Sequence, residues 1–376
     1  MQCDYFDAGV CRSCTQIRVP YATQLESKDA DAKALLHEHA QLRWLSPVAS
    51  KESAFRNKAK IVVSGTHQNP VLGILNREGN GVDLSECPLY TFDILALMPV
   101  LRELIQRASL TPYSVPARKG ELKNILVTAS PSGELMLRFV LRSKKLLVPI
   151  RREISWLQQR NPAISVVSIN LLREHKAVVE GGEEIILTEQ QTLPMQVNGM
   201  DLHLRPQSFF QTNTAIAEAL YAQGAQWVAD AAPHTLWDLY CGVGGFALHS
   251  AQALPDASIT GIEISEEAIA SAQRTVDEKG LDNLTFIAQD ATTFAVDAQE
   301  LPECVVVNPP RRGIGEQLAQ WLEHSGIQTV VYSSCNARSL VKDLEKMPSL
   351  KPVEGRVFDM FPHTNHYEVA VLLQRA

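Results

Sequence analysis

From residue 213 onward, short apolar runs alternate with longer amphipathic stretches, and few architectures accept that alternation. The pattern predicts helices at 213–229, 246–254, 265–279, 315–324 and 336–346. Between them it predicts strands at 235–240, 258–263, 284–288, 303–307 and 327–332. Such a chain buries its strands only by covering both faces of a largely parallel sheet with helices, so the fold class is doubly wound, Rossmann-like α/β. Two last strands near 353–360 and 367–373 have no helix between them and predict an antiparallel end. Upstream, residues 55–205 read as β-rich, with helices only at 95–108 and 151–159. Gly181-Gly182 and Asn198-Gly199, each between apolar runs, signal hairpins. Residues 24–45 read as an amphipathic helix that Pro47 ends. Two domains follow, 1–205 and 206–376.

Chemistry-bearing residues fall where the α/β reading places strand ends. Asp238-Leu-Tyr-Cys-Gly242-Val-Gly244-Gly245 leaves a strand and opens a helix, so backbone N–H groups face a ligand that glycines let approach. Glu263, 21 residues after Gly242, ends the next strand, where a carboxylate accepts ribose hydroxyls. This pair suits NAD and S-adenosylmethionine equally. Asp290 ends the third strand, either bonding an adenine amino group or capping a helix. Tyr240 either flanks the cofactor or is a core aromatic.

The next strand end separates the two cofactors. Asn308-Pro309-Pro310-Arg311 is a stiff corner presenting an amide, for which a dinucleotide oxidoreductase has no evident need. Amino methyltransferases acting on adenine or cytosine place an aromatic residue after the second proline, and here Arg311 stands there. One strand on, Tyr332-Ser-Ser-Cys335-Asn336 sets a thiol at a strand's carboxyl end before a helix, and neighbouring arginines and helix N–H groups are expected to lower its pKa. Glu368 opens the apolar run that follows Tyr367. It is either an edge-strand charge in solvent or a desolvated general base. Cys241 and Cys304 read as packing residues.

A net charge of −7 argues at first against a nucleic-acid partner. Residues 102–176, however, carry 14 Lys and Arg against 5 Asp and Glu, and the basic residues include Arg118, Lys119, Lys123, Arg138, Arg142, Lys144 and Lys145. Strand alternation gathers such residues on one sheet face, an expected polyanion-facing surface. No apolar run of about 18 residues occurs, and the N-terminus lacks the basic and apolar regions of a secretion signal. The expected location is the cytoplasm, with no membrane contact and no obligate protein partner. Cys3, Cys11 and Cys14, spaced C-x7-C-x2-C, together with Cys87 suit a [4Fe–4S] cluster or a structural zinc ion. The second C-x2-C pair of a zinc ribbon is missing, and radical S-adenosylmethionine enzymes use C-x3-C-x2-C instead.

Taken together, DLYCGVGGF, NPPRRG, YSSCN and PHTNHYEV resemble the RNA uracil-C5 methyltransferases over essentially the whole chain, and with the N-terminal cysteines the branch acting on 23S ribosomal RNA. The resemblance implies a class I methyltransferase domain that uses S-adenosylmethionine, with Cys335 as nucleophile and Glu368 as base. It implies that Gln211, in Ser-Phe-Phe-Gln-Thr-Asn, lines the cofactor site with Tyr240, Glu263 and Asn308. Many relatives carry Asp where this chain has Asn308. Of the two metal readings it implies the [4Fe–4S] cluster on Cys3, Cys11, Cys14 and Cys87. It also implies that residues 17–48 pack on the catalytic domain and that 23S rRNA, near position 747, is the substrate. Methylation of tRNA or of another rRNA uridine is the nearer alternative, and an NAD-linked redox protein is the alternative of another class.

Overall fold

A computed structural model describes residues 1–175 and 180–376. Along the chain, α1 (Asp4–Asp7), α2 (Tyr21–Leu35) and β1 (Arg43–Trp44) precede β2 (Lys58–Gly65), β3 (Pro70–Leu75), β4 (Gly81–Asp83) and α3 (Phe92–Arg107). Then come β5 (Leu122–Ala129), β6 (Leu135–Leu141), α4 (Leu147–Arg152), α5 (Ile154–Arg160), β7 (Ile164–Leu171) and β8 (Glu183–Ile186). The chain divides into one unit of Met1–Cys14 with Glu52–Met195 and another of Thr15–Lys51 with Gln196–Ala376. Segment 15–51 therefore belongs with the C-terminal half.

Among the described residues of the first unit, seven strands form one sheet in the order β4-β3-β2-β5-β6-β7-β8. All neighbours are antiparallel except β6 and β7, which α4 and α5 connect as a parallel crossover. Alternation in β2 sends Ala59, Ile61 and Val63 inward, where they meet Ile94, Leu97, Leu101 and Ile105 of α3 and Phe139 and Ile169 of the sheet. The strand expected ahead of Gly181, and Lys176 at the end of the basic stretch, lie wholly or partly outside the described residues.

Two expected RNA-facing cations are instead internal. Arg138 is 2% exposed. Its guanidinium pairs with Glu180 and donates to both carboxylate oxygens of Glu184, while Ser168 and Asn170 donate to the same Glu184. Burying a guanidinium costs several kcal/mol unless its donors are met, so this cation is committed to the sheet. Lys123, also buried, donates to the Glu174 carbonyl at 2.6 Å.

β9 (Leu193–Val197) and β10 (Met200–Leu204) form the hairpin expected at Asn198-Gly199, and both turn residues have positive φ. Thr275 donates to the Asp201 carbonyl of β10, so the unit boundary falls at 195/196 rather than at 205/206. The rest of the chain is α6 (Thr214–Ala231), β11 (Thr235–Leu239), α7 (Gly245–Ala253), β12 (Ser258–Glu263), α8 (Glu266–Lys279), β13 (Leu284–Ala288), α9 (Ala291–Asp297) and β14 (Cys304–Val307). It ends with α10 (Gly315–His324), β15 (Thr329–Ser334), α11 (Ala337–Leu344), β16 (Leu350–Phe358) and β17 (Glu368–Arg375). Eight strands join in the order β1-β16-β17-β15-β14-β11-β12-β13. β11 to β15 run parallel and β17 is antiparallel to both neighbours, the doubly wound sheet with an antiparallel end.

The expected helix 24–45 stops at Leu35. Arg43 and Trp44 pair in parallel with Glu354 and Gly355, because the apolar side chains of Leu42 and Trp44 fit over Gly355, where a Cβ would sit 3.4 and 3.1 Å from them. The buried stripe of α2 is Gln24, Lys28 and Ala32, spaced four apart, rather than its leucines. Among the described residues, no helix is long and apolar enough to cross a membrane.

Candidate active site

The carboxyl ends of β11, β12, β13 and β14 bring most of the expected cofactor residues together. Gly242 takes φ 57°, and a Cβ there would meet nothing within 4 Å, so the loop backbone is open to a ligand. Gly245, the first residue of α7, lies so close under Tyr221 that a Cβ would sit 2.5 Å from its ring. Glu263 accepts from the backbone N–H of Gly242 at 3.2 Å and of Ser265 at 3.1 Å, which ties the glycine loop to the end of β12. Asp238, fully buried, accepts from the Ala247 N–H through one oxygen, while the other has no partner. Burial pushes this carboxyl up to about 8, and the charge of Glu263 adds to the push. Asp290 caps α9, accepting from the N–H and hydroxyl of Thr293. Its neighbour Thr292 lies 3.5 Å from the Tyr240 hydroxyl. Asn308 donates its N–H to the Leu239 carbonyl, and Gln211 is buried just ahead of α6.

The proline corner is held from below by a residue that the sequence did not signal. Asp343 of α11, buried, accepts from the Ile314 N–H at 2.9 Å and the Tyr332 hydroxyl at 2.7 Å. Asn336 in turn donates its amide to the Arg311 carbonyl at 3.1 Å. The Asn308–Gly313 loop is thereby fixed against the end of the strand that carries Cys335.

Cys335, half-buried at the end of β15, opens onto a cleft of about 500 Å³ lined by Arg311, Asn336, Arg338, His366, Tyr367 and Lys28 among others. Burial first, and then the charge of Glu368, push its thiol up, against the opposing pull of Arg311. The expected lowering is thus reversed: the carboxylate and the lost hydration outweigh one guanidinium. Glu368 starts β17, an interior strand between β15 and β16, and is 1% exposed. It is a desolvated carboxyl, not an edge charge, and burial raises it to about 7. Ser333 donates to its Oε1 at 2.8 Å.

The loop ahead of Glu368 is stapled by α2. Gln24 donates to the Gln16 and Val19 carbonyls and accepts from the His363 N–H. Lys28 donates to Asp359 at 2.6 Å and to the Phe361 carbonyl at 3.0 Å, and the Tyr367 hydroxyl donates to Asp31 at 2.7 Å. No sequence signal pointed to this polar stripe, since polar residues on a short helix read as solvated. The buried spacing Gln24-Lys28-Ala32 is the only trace it leaves.

The four N-terminal-unit cysteines line one cavity of about 170 Å³ together with Arg56, Lys60 and Tyr90. Among the described residues, no group of three or more His, Cys, Asp or Glu is close enough to hold a metal ion. Burial, with the neighbouring cysteines adding to it, pushes the Cys14 thiol up to about 11 and raises Cys87. Cys241 and Cys304 are buried packing residues.

Three comparisons agree with this architecture. The crystal structure of Pyrococcus abyssi tRNA (uracil-54, C5)-methyltransferase in complex with S-adenosyl-L-homocysteine superposes with a TM-score of 0.80 at 23% identity, covering 96% of this chain and 85% of that one. The chain shares that S-adenosylmethionine methyltransferase fold. The 23S rRNA (uracil(747)-C(5))-methyltransferase RlmC of Yersinia enterocolitica is 50% identical over 374 residues, 99% of each chain. That of Edwardsiella ictaluri is 49% identical over 377 residues, the full length of both. The model of the tRNA (Uracil-5-)-methyltransferase family matches residues 20–376, and the chain belongs to that family.

Proposed function

We propose that the protein transfers a methyl group from S-adenosylmethionine to C5 of a uridine in 23S rRNA, at position 747. The observation that carries the chemistry is Cys335 beside the buried carboxyl of Glu368 at the sheet's carboxyl edge. Uracil C5 is too weak a nucleophile to attack a sulfonium methyl. Loss of the Cys335 thiol proton to solvent and addition of the resulting thiolate to C6 shift the C5–C6 electron pair onto the C5 enolate. S-adenosylmethionine supplies the electrophilic methyl group. Once C5 carries both hydrogen and methyl, Glu368 takes the C5 proton, the C5–C6 double bond re-forms and the C6–S bond breaks. Gln211, Tyr240, Gly242, Glu263, Asp290 and Asn308 are assigned to the donor. In this reading Glu263 accepts the ribose hydroxyls while its bonds to Gly242 and Ser265 hold it still. The target base must leave its stack to reach Cys335.

The substrate assignment is supported by the full-length relatives. Incubation with labelled S-adenosylmethionine and separated RNAs is expected to label 23S rRNA as 5-methyluridine at a single position. Label confined to tRNA overturns the rRNA assignment.

The RNA-facing surface is assigned to cations that stay at the surface. Arg142 reaches the Arg118 carbonyl and shares Glu121 with Lys145, while Lys144 and Arg173 share Glu183. With Lys119, six cations stand over two carboxylates. Replacing Lys144 and Lys145 together by glutamate is expected to weaken binding of a 23S rRNA fragment and to flatten the salt dependence of log K by about one to two units. Unchanged affinity and slope overturn the assignment.

The cysteine cavity fits a [4Fe–4S] cluster better than a single ion. Four thiols line one cavity without being close enough for one metal, a cubane holds its thiolates farther apart, and Arg56 and Lys60 offset its charge. Cys3, Cys11, Cys14 and Cys87 would hold it. It would tie α1 and the N-terminal turn to the loop at Cys87, and methyl transfer takes no step through it.

A further inference from the structure

Glu368 has a task that its environment works against. It must be ionised to take the C5 proton, yet burial raises it to about 7 and leaves much of it protonated at neutral pH. Opposing that burial is a hydrogen bond from Ser333, fully buried, whose Oγ lies 2.8 Å from Oε1. Ser333 lies on β15, which pairs with β17, opposite Ala370 and with Ser334 opposite Val369, and Cys335 follows directly after the strand's last residue. This strand end thus supplies both the hydroxyl that meets the carboxyl and, just beyond it, the thiol that opens on the cleft.

We infer that Ser333 is a positioning residue for the base: its hydroxyl fixes one oxygen of Glu368 and favours the carboxylate, leaving the other oxygen to receive the C5 proton. This rests on the uracil-C5 reading and adds a separate requirement to it. A hydroxyl donating to a carboxylate stabilises the charged form and weakens when the carboxyl is protonated. The other ionisable groups facing Glu368 are the Cys335 thiol and, from α6, the Tyr221 phenol, both raised by burial and neutral near pH 7. On β16 the paired residue is the apolar Phe358. Within this set, Ser333 is the group that lowers the carboxyl.

The test is a pH series of pre-formed adduct. Wild-type protein and its Ser333→Ala and Ser333→Thr variants are loaded with a uridine-containing 23S rRNA fragment and S-adenosylmethionine, and decay of the covalent complex is followed from pH 5.5 to about 9. Decay is expected to slow as pH falls through the ionisation of Glu368. In Ser333→Ala the midpoint is expected to move up by about one pH unit, giving a several-fold to tenfold slower decay at pH 7 and near-normal rates at high pH. Formation of the adduct is expected to change much less. Ser333→Thr, which keeps a hydroxyl, is expected to restore the wild-type midpoint. An unshifted midpoint in Ser333→Ala, or equal slowing at every pH, overturns the role of Ser333 while leaving the uracil reading intact. Absence of any adduct in the wild-type protein overturns that reading itself.

Discussion

Replacing Cys335 with alanine is expected to abolish methyl transfer, lowering kcat by at least about a thousandfold. The loss is large because no other group can make C5 nucleophilic: the electron pair that attacks the methyl group comes from addition at C6. Asn336 and Arg311 remain bonded to each other without the thiol, so the proline corner keeps its place. Donor binding is therefore expected to survive, and the melting temperature to move little, since a half-exposed sulfur contributes little buried area. Calorimetric titration with S-adenosylhomocysteine beside a methyl-transfer assay separates the two effects. Turnover within tenfold of wild type would remove Cys335 from the mechanism.

Glu368→Gln is expected to act at the other end of the cycle. Glutamine matches glutamate in shape and still accepts from Ser333, so addition and methylation proceed. With no base for the C5 proton, the methylated RNA stays on Cys335. A slow-migrating protein–RNA band in denaturing gels is expected, with turnover down by roughly a hundredfold or more. Failure to see that band, together with normal turnover, rejects Glu368 as the base. A stability change follows from the same burial. The folded carboxyl titrates near 7 against an ordinary value of 4.5, so between those pH values the folded state binds more protons than the unfolded state. Stability from this group is present below the unfolded value and falls as pH rises to about 7. Removing the charge is expected to stabilise the protein above pH 7, by at most on the order of 3 kcal/mol, and to leave it unchanged near pH 4. Thermal melts of both proteins at the two pH values check the sign.

The parts of the molecule that were legible in the sequence are those set by local pattern. Apolar runs such as Cys304–Val307 and Thr329–Ser334 are strands because both faces of a parallel sheet are buried, and their ends follow from the Gly, Pro and Asn that stop them. The glycine loop, Cys335 and Glu368 stood out in the sequence because their residue types are unusual where they stand. Distant partners were not readable. Arg138 looked like a surface cation because Glu180 and Glu184, which neutralise it, come from 42 and 46 residues away. Leu42 and Trp44 extended a helical pattern because the strand they join, at Glu354 and Gly355, lies at the far end of the chain. The thiol of Cys335 was expected to be acidified because the Asn-Pro-Pro-Arg corner supplies Arg311 and the helix after the thiol supplies N–H groups, while the burial and the Glu368 carboxylate that oppose them leave no local mark in the sequence.

The α2 staple and the β1–β16 pairing also set the order in which the molecule can be completed. Arg43 must wait for Glu354, and Lys28 for Asp359, before either has a partner. During synthesis the parallel core from β11 to β15 can collapse first, with the thiol already on its edge, while the early helix stays unanchored. The carboxyl that completes the chemistry takes its place only when the beginning and the end of the chain close on each other. Under the proposed mechanism, a nascent chain carrying Cys335 has no base with which to release a bound RNA until it has finished folding, and this long-range closure, with its high contact order, is expected to be the slow step in making an active molecule.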